Sequence, residues 1–436
     1  MHEIKLGKFR IVRRLGRGGM GAVYEGHDPG LDRRVAIKTL TTEAIADQES
    51  RNRFEREARA AAKLQHPNIV TIYELGNFGG KEKPYIVMEY LGGADLAALI
   101  DEEEGLPFAE ALDIAIQLLK ALDFAHQCGV VHRDVKPSNV RYLDDGRVKI
   151  MDFGIARVEG SAQITRSGAT VGTPYYMSPE QIRAEKIDRR SDIFSAGCIL
   201  YEMLAGRRPF PGDLPSVFYK IVNEKPPPLV EQRAELPQEV QDILDRALAK
   251  EPGQRFQSAG EMAQELEKLL DVYRKSFPRP TGALRNRIEE LERLSREDRW
   301  RDVIPLAEAL VAERPELEPP RRVLRRALGE VRREEEERRV TAEERTRHLA
   351  VISQEIAMLY GPPAGVVSAP SRELKLRPET AASSPLGLGS LSVKLGIALM
   401  AVIVVAWILF PAVRDALGPK EMAQTVFISS SPSGAA

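Results

Sequence analysis

The sequence predicts an α+β fold with two lobes, in which strands come first and helices second. Three short β-branched segments, FRIVRRL, AVYEGH and RVAIKTL, occupy the first 40 residues and are separated by the turn-forming stretches GRGGMG and DPGLD. Residues 41–65 then have helical spacing, and further strands are predicted at 69–76 and 84–90. From about Phe108 to about Tyr273 the pattern is mainly helical, which predicts a helical second lobe.

One stretch within the helical part departs from this pattern. VRYLDDGRVKIMDFG contains two strand-like segments around Asp145 and Gly146, and an Asp-Gly pair between such segments is a strong signal for a β-hairpin. The hairpin pairs its two strands, so the residues that flank them, Asn139 and Asp152, are expected to lie close together.

Composition narrows the functional classes. The 436 residues include 63 Lys and Arg against 64 Asp and Glu, so no overall positive charge points to nucleic acid as a partner. Two cysteines, Cys128 and Cys198, are too few for a disulfide framework and are predicted to be buried packing residues. The N-terminus has no apolar core of signal-peptide length.

The second half of the chain is predicted to contain a membrane anchor and several less regular segments. Residues 395–413 carry no charge and would span about 28 Å as a helix, close to the thickness of a bilayer core. The predicted organisation is a folded region at 1–275 (core 9–273), a linker at 276–283, a charged helical segment at 284–360, a juxtamembrane linker at 361–394, the membrane helix at 395–413 and an extracytoplasmic tail at 414–436.

The charged helical segment allows three interpretations. A solvated helix is the simplest, whereas a coiled coil is disfavoured by its poor apolar heptads. Residues 300–328 instead suggest two antiparallel helices broken at Pro315–Pro320, which loosely resembles a single tetratricopeptide-type unit.

A glycine-rich loop and a lysine mark the first candidate site. Gly16, Gly18 and Gly21 lie between two strands, where glycines let backbone N–H groups approach phosphate oxygens. A dinucleotide fold would need a helix after this loop, but AVYEGH is strand-like, so that alternative is rejected. Val23 and Ala36 are suited to form an apolar ceiling over a flat ring.

Lys38 lies in the apolar strand RVAIKTL, and a partner for it is available in the next helix. Glu57 shares one helical face with Phe54 and Ala61, where an unpaired carboxylate would be costly. An ion pair between Lys38 and Glu57 would give each of these charged side chains a counter-charge in its apolar surroundings.

The stretch VVHRDVKPSNV carries the remaining polar groups. Asn139 and Asp152 offer hard oxygen ligands of the kind that Mg²⁺ prefers. Asp134 is then free to accept a proton, and Lys136 to neutralise developing phosphoryl charge.

Residues from about Phe9 to Tyr273 resemble a protein kinase of the eukaryotic-like (Hanks) type, and most closely the bacterial members with a membrane anchor. The resemblance is carried by GRGGMGAVYEG, VAIK, a helix glutamate, HRDVKPSN, DFGIAR and GTPYYMSPEQ, in the order of that family. It implies a bilobal protein kinase fold with a β-rich N-terminal lobe and a helical C-terminal lobe. Ser178 and Phe194 depart from the family pattern without removing a group that catalysis uses.

The resemblance implies an active serine/threonine protein kinase that uses ATP and Mg²⁺. The implied residues are Gly16, Gly18, Gly21, Val23, Ala36, Lys38, Met88, Glu89 and Leu91 for ATP, Glu57 as the partner of Lys38, Asp134 and Lys136 for catalysis, and Asn139 and Asp152 for the metal. Implied structural residues are Arg133, Thr173, Asp192, and Glu180 paired with Arg255. A pseudokinase scaffold that recruits partners through 284–360 is the alternative, and the intact catalytic set disfavours it.

Regulation and topology are further expectations. Arg133 beside a catalytic carboxylate needs an anion, so autophosphorylation is expected at Thr165 and Ser167, with Thr170 as a third candidate. Charges flanking 395–413 are balanced, but ATP is cytosolic, so a single-pass protein of the cell membrane with a cytoplasmic kinase domain is expected.

The C-terminal residues and the partners complete the expectations. The end TVFISSSPSGAA resembles the first strand of a small extracytoplasmic β module of the PEGA kind, which suggests a truncated form of a longer protein. Protein substrates with Ser or Thr are expected. Their identity, the sensed signal, the role of 284–360 and homodimerisation remain open.

Overall fold

The computed structural model describes residues 4–18, 21–78, 83–103, 105–153, 174–277, 280–314, 317–339, 349–354 and 356. All of them belong to the first of two compact units, Met1–Val366, while the second unit, Val367–Ala436, contains none. The predicted membrane span 395–413 therefore lies outside the described residues. No helix among the residues that are described is long and apolar enough to cross a bilayer.

The N-terminal lobe is built on a six-stranded antiparallel sheet with the order β1-β2-β3-β4-β6-β5. Its strands are β1 Lys5–Leu6, β2 Phe9–Arg17, β3 Gly21–Asp28, β4 Arg33–Leu40, β5 Ile72–Asn77 and β6 Pro84–Glu89. Strand alternation buries one side chain in two against the lobe core, as in β2, where Phe9 and Ile11 are buried and the residues between and after them are exposed.

Two helices accompany this sheet, α1 Thr42–Ala46 and α2 Gln48–Ala61. Each begins at a side chain that accepts a backbone N–H: Thr41 for α1 and Asp47 for α2. Phe54, Ala58 and Ala61 recur at helical spacing on α2 and are buried, so this face packs on the sheet.

The second lobe is helical, and its core is one large cluster of buried side chains. Its helices are α3 Leu96–Glu103, α4 Phe108–Gln127, α5 Pro179–Ile182, α6 Arg189–Ala205, α7 Leu214–Asn223, α8 Leu229–Gln232, α9 Gln238–Ala247 and α10 Ala259–Ser276. The long helices α4 and α6 pack on each other, and α10 packs on α4. α6 is buried on nearly all sides, which is typical of a central helix.

A small sheet lies at the N-terminal edge of the helical lobe, with β7 Ala94–Asp95, β8 Val140–Tyr142 and β9 Val148–Ile150 in that order. β8 and β9 form the predicted hairpin, and Gly146 in its turn has φ +80°, a conformation that favours glycine. This sheet joins the segment between the lobes to the stretch around Asp134.

The described residues after the second lobe include the helices α11 Gly282–Arg296, α12 Trp300–Glu313 and α13 Glu318–Arg339. They pack on one another around a separate apolar cluster that includes Leu291, Val303 and Ala327. The chain breaks between α12 and α13 in the region where the sequence predicted a break.

α13 also contacts the helical lobe through charged groups. The guanidinium of Arg325 binds both carboxylate oxygens of Glu110, and its Nε donates to Glu103 at 2.8 Å. Farther along the chain, Ile352 and Ile356 are buried in the core of the N-terminal lobe. The segment after the helical lobe therefore touches both lobes.

The prediction for one cysteine was wrong. Cys198 is fully buried in α6, as expected, but Cys128 is exposed. Cys128 is the residue that ends α4, so it lies past the apolar face that the preceding residues share. The periodic pattern predicted a buried helical position for Cys128, but the helical residues of α4 end at Gln127, just before it.

Candidate active site

The glycine-rich turn joins β2 and β3, and the structure constrains each of its glycines differently. The N–H of Gly18 donates to the carbonyl of Gly21 at 2.8 Å and closes the turn. A Cβ at Gly21 would lie 1.7 Å from the carbonyl oxygen of Thr39, so only glycine fits beside β4. A Cβ at Gly16 would meet nothing within 4 Å, so the close packing that excludes a side chain at Gly21 is lacking there.

Lys38 projects from β4 toward two carboxylates. Its Nζ lies 2.6 Å from Oδ1 of Asp152 and 4.0 Å from Oε1 of Glu57. Burial acts to lower the pKa of Lys38, but the charges of Asp152 and Glu57 outweigh it and keep the pKa above its ordinary value. The sequence paired Lys38 with Glu57 alone; the structure makes Asp152 its nearer partner.

The two carboxylates respond in opposite directions to their surroundings. Burial acts to raise the pKa of Asp152, but the ammonium of Lys38 outweighs it, and the pKa lies below its usual value. Burial raises the pKa of Glu57 to about 7, because the more distant Lys38 offsets it only in part and Asp152 adds repulsion. Asp152 is therefore ionised at neutral pH, whereas the pKa of Glu57 lies near neutral pH.

A group of apolar side chains lies beside these charges. Ala36 and Met88 are register partners on β4 and β6, and together with Val70 they are buried. The side chains packed against this core include those of Val23, Ile72, Leu91 and Met151. The sequence predicted Val23 and Ala36 as an apolar ceiling over a flat ring; the structure adds Val70, Ile72 and Met151 to this apolar group.

Asp134 lies at the centre of a second group of polar contacts. The Nζ of Lys136 donates to its Oδ2 at 2.7 Å. The Nδ2 of Asn139 donates to the backbone carbonyl of Asp134 at 2.9 Å and to Oδ2 at 3.1 Å. The side chains of Lys136 and Asn139 therefore both hold the Asp134 carboxylate in place.

Asn139 and Asp152 are brought together by the hairpin. The N–H of Met151 donates to the carbonyl oxygen of Asn139 at 2.8 Å, which places the next residue, Asp152, beside Asn139. Since the amide nitrogen of Asn139 is bound to Asp134, its amide oxygen is the atom suited to a metal ion.

The backbone around Asp134 is held from α6 and from β9. The carboxylate of Asp192 accepts the N–H groups of His132 and Arg133, both at 2.8 Å. Burial lowers the pKa of His132, so its ring is neutral, and Nε2–H donates to the carbonyl of Met151 at 3.0 Å. Arg133 has φ +67°, an unfavourable conformation that these contacts maintain.

A buried ion pair supports the site from the helical lobe. Both terminal nitrogens of Arg255 donate to the carboxylate of Glu180 at 2.8 Å, and Ser191 donates to the same carboxylate at 2.6 Å. Next to Glu180, the side chain of Gln181 donates to the carbonyl of Arg133 at 2.8 Å. The pair is therefore connected to the residue that precedes Asp134.

Several predicted residues cannot be placed. Thr165, Ser167, Thr170 and Thr173 lie outside the described residues. Sequence reasoning also missed four residues that the structure puts beside the site: Val70, Arg141, Lys149 and Met151. Met151 could have been noticed because it directly precedes Asp152, whereas Val70 carried no signal of its own.

A strand-rich lobe and a helical lobe that meet at Lys38, Asp134 and Asp152 define the class of protein kinases. Residues 9–266 match the protein kinase domain family, so the chain belongs to that family. More than half of the chain lies within this match.

Similar curated proteins come from bacteria. A probable serine/threonine-protein kinase of Streptomyces coelicolor is 44% identical over 270 residues, which cover 61% of this chain and 40% of that protein. The serine/threonine-protein kinase PknB of Mycobacterium leprae is 43% identical over 256 residues, which cover 58% and 41% of the two chains. The chain thus spans about two fifths of the length of these relatives. Among solved structures, the Mycobacterium tuberculosis PknI kinase domain aligns over 62% of this chain and 98% of that chain, at 31% identity and a TM-score of 0.49.

Proposed function

We propose that the chain is a serine/threonine protein kinase that transfers the γ-phosphoryl group of ATP to Ser and Thr hydroxyls of proteins. One observation carries the proposal: the Asp134 carboxylate, held by Lys136 and Asn139, lies in the same site as the partly buried Lys38–Asp152 pair. The names of the similar proteins support Ser and Thr, rather than Tyr, as the acceptors.

The residues present fit ATP. The apolar group around Ala36 and Met88 is suited to a flat base, and the backbone of Met88 to Leu91, which includes Glu89, to its polar edge. The glycine-rich turn that includes Gly16, Gly18 and Gly21 would let the backbone approach phosphate oxygens without obstruction by side chains.

The residues also fit Mg²⁺. No group of three His, Cys, Asp or Glu side chains that would form a metal site by itself occurs in the described part of the chain. Mg²⁺ at phosphoryl-transfer sites is commonly held by one or two protein oxygens together with substrate phosphates. Asp152 and the amide oxygen of Asn139 would supply those ligands, and the bound ion would neutralise charge on the phosphates.

The chain's own groups account for the transfer. Asp134 would orient the substrate hydroxyl and accept its proton as the hydroxyl oxygen forms a bond to the γ-phosphorus. The bond from that phosphorus to the oxygen of ADP breaks in the same displacement. Lys136 would stabilise the developing charge, and Lys38, paired with Glu57, would hold the α- and β-phosphates.

Regulation by phosphorylation is part of the proposal. Arg133 precedes Asp134, and an arginine at this point can bind a phosphate carried by a neighbouring segment. Thr165, Ser167 and Thr170 are the proposed autophosphorylation sites, and Thr173 is proposed to contact the site around Asp134.

We also propose that residues 395–413 anchor the chain in the cell membrane, with the kinase domain in the cytoplasm where ATP is available. The uncharged sequence of this segment supports the proposal. Alkaline extraction of membranes that contain the full chain, or a variant without 395–413, tests it. Only the full chain should stay with the membrane fraction.

Phosphate mapping tests the activity. The full chain and Asp134→Asn are incubated with ATP, Mg²⁺ and a generic basic protein, and phosphates are located by mass spectrometry. Phosphate on Ser and Thr with the wild type, and none with Asp134→Asn, is the expected result. If the wild type modifies neither itself nor the added protein, the proposal fails and the scaffold alternative gains support.

A further inference from the structure

Two cations lie directly opposite each other on the β8–β9 hairpin, next to residues 89–95, the segment that joins the two lobes. Arg141 on β8 and Lys149 on β9 are register partners. Side chains at such positions point to the same face of the sheet, and like charges there destabilise the pairing. Each cation therefore needs a counter-charge from outside the hairpin.

Lys149 finds its counter-charge at the beginning of the joining segment. Its side chain is only 6% exposed, and its Nζ lies 2.8 Å from Oε2 of Glu89 and 3.2 Å from the carbonyl of Ile69. The same carboxylate oxygen accepts the N–H of Thr71 at 3.3 Å. A lysine so deeply buried is tolerated only when it is paired in this way.

Arg141 binds the other end of the same segment. Its Nε donates to the carbonyl of Gly92 at 2.9 Å, and its Nη2 to the carbonyl of Gly93 at 2.7 Å. Its Nη1 lies 2.7 Å from Oδ1 of Asp95. All three partners lie within four residues of one another.

The backbone at this end is also pressed against β8. Gly93 has φ +73°, and a Cβ on it would lie 2.0 Å from the carbonyl oxygen of Tyr142. Only glycine allows the chain to pass this close to the strand. The guanidinium of Arg141 therefore holds a segment whose position is already narrowly defined.

We propose that Arg141 and Lys149 are positioning residues for ATP: they hold residues 89–95 at both ends and so set the backbone that receives the adenine edge. This inference rests on the proposed function, because it assigns the Met88–Leu91 backbone to the nucleotide. Both residues act through this segment, whereas Asp134, Lys136 and Lys38 hold the reacting groups. The pair should therefore govern nucleotide affinity and leave phosphoryl transfer at saturating ATP almost unchanged.

Steady-state kinetics of the full chain test the proposal, with Arg141→Met and Lys149→Met as variants. The KM for ATP is expected to rise about tenfold in each, the equivalent of one lost charge-assisted hydrogen bond, with kcat within about threefold of the wild type. Arg147→Met is the matched control, because Arg147 lies in the turn of the same hairpin and its guanidinium pairs with Asp145 in that turn.

Two further variants keep the test informative if Lys149→Met folds poorly. Glu89→Gln removes the other half of that pair, and Arg141→Lys keeps the charge but loses the fork that binds two carbonyls and a carboxylate. Both are expected to raise the KM for ATP, and the effects of Glu89→Gln and Lys149→Met should be less than additive because they remove the same contact.

Direct binding of ADP separates this inference from the proposed function. If the wild type binds ADP but transfers no phosphate, the proposed activity fails, and weaker ADP binding by the variants still supports the positioning role. If folded variants bind ADP and use ATP as the wild type does, with only a lower melting temperature, the positioning role is overturned. If the wild type does not bind ADP, both proposals fail.

Discussion

The ammonium of Lys38 donates to Oδ1 of Asp152 at 2.6 Å, although the two residues are 114 positions apart in the chain. This contact joins β4 of the N-terminal lobe to the residue that follows β9. The cation of Lys38 and the carboxylate of Asp152, one from each lobe, thus lie where the proposed function places the nucleoside triphosphate and its metal ion.

Substitution of Lys38 by Met should abolish most of the activity and leave the fold intact. Loss of the ammonium removes a phosphate ligand, and we expect kcat/KM to fall about 10²–10³-fold. Phosphate transfer and circular dichroism measure the two effects. Lys63→Met is the control, since Lys63 is exposed just after α2; equal losses in both variants would contradict the role of Lys38.

Glu57 should make the stability of the nucleotide-free protein depend on pH. Its pKa is about 7 in the folded protein, against 4.5 for a glutamate in water, so between these pH values the folded state holds a proton that the unfolded state releases. The contribution is fully present below pH 4.5 and is lost as the pH rises through 7.

Chemical denaturation between pH 5 and 8 measures this effect. Relative to Glu57→Gln, the wild type should lose about 1 kcal/mol of unfolding free energy per pH unit between pH 5 and 7, and progressively less above pH 7. Glu55→Gln is the matched control, because Glu55 lies on the same helix and pairs with Arg59. Parallel pH profiles of the wild type and Glu57→Gln would show that Glu57 is not the group responsible.

Asp192→Asn should slow catalysis through the backbone it supports. The carboxylate accepts the N–H groups of His132 and Arg133, and an amide replaces one of these acceptors by a donor. A displaced Asp134 is expected to lower kcat on the order of 10²-fold. Asp188→Asn is the control, because Asp188 caps the same helix and Asn is an equally good cap. Unchanged kcat in folded Asp192→Asn would refute this role.

The Glu180–Arg255 pair should be important for stability. Both side chains are almost completely buried, so Arg255→Met leaves a carboxylate without its counter-charge and should cost about 3–5 kcal/mol. Urea denaturation checks this, with Lys268→Met, which breaks an exposed pair with Glu265, expected to cost at most about 1 kcal/mol. A double variant, Glu180→Gln with Arg255→Met, should be more stable than the sum of the single effects predicts.

Arg325 should hold α13 on the helical lobe. It binds Glu110 with two nitrogens and Glu103 with a third, so Arg325→Ala leaves two acidic side chains without this partner. We expect faster amide hydrogen exchange and earlier proteolytic cleavage in α11–α13, while α4 and α6 stay protected. Arg332→Ala removes a mostly exposed contact with Glu102 and is the control; the same exchange pattern in both variants would rule out a specific role for Arg325.

Much of the fold could be predicted from the sequence because periodicity specifies which side of an element is buried. The strand β2 and the Asp-Gly turn of the hairpin depend only on neighbouring residues, and the structure has both where they were predicted. The candidate catalytic residues could also be predicted from the sequence, since Asp134, Lys136 and Asn139 lie within six positions and contact one another.

Contacts between distant elements were decided only by the tertiary structure. The sequence offered Glu57 as the partner of Lys38, but the nearer partner comes from the other lobe, and the pKa of Glu57 depends on that arrangement. In the sequence, no feature distinguishes Arg141 and Lys149 from other strand residues. In the structure, the β8–β9 register places them opposite each other, where Arg141 binds Gly92 and Lys149 binds Glu89. A local pattern determines which face of a helix or strand is buried, whereas packing over long chain separations determines what that face meets.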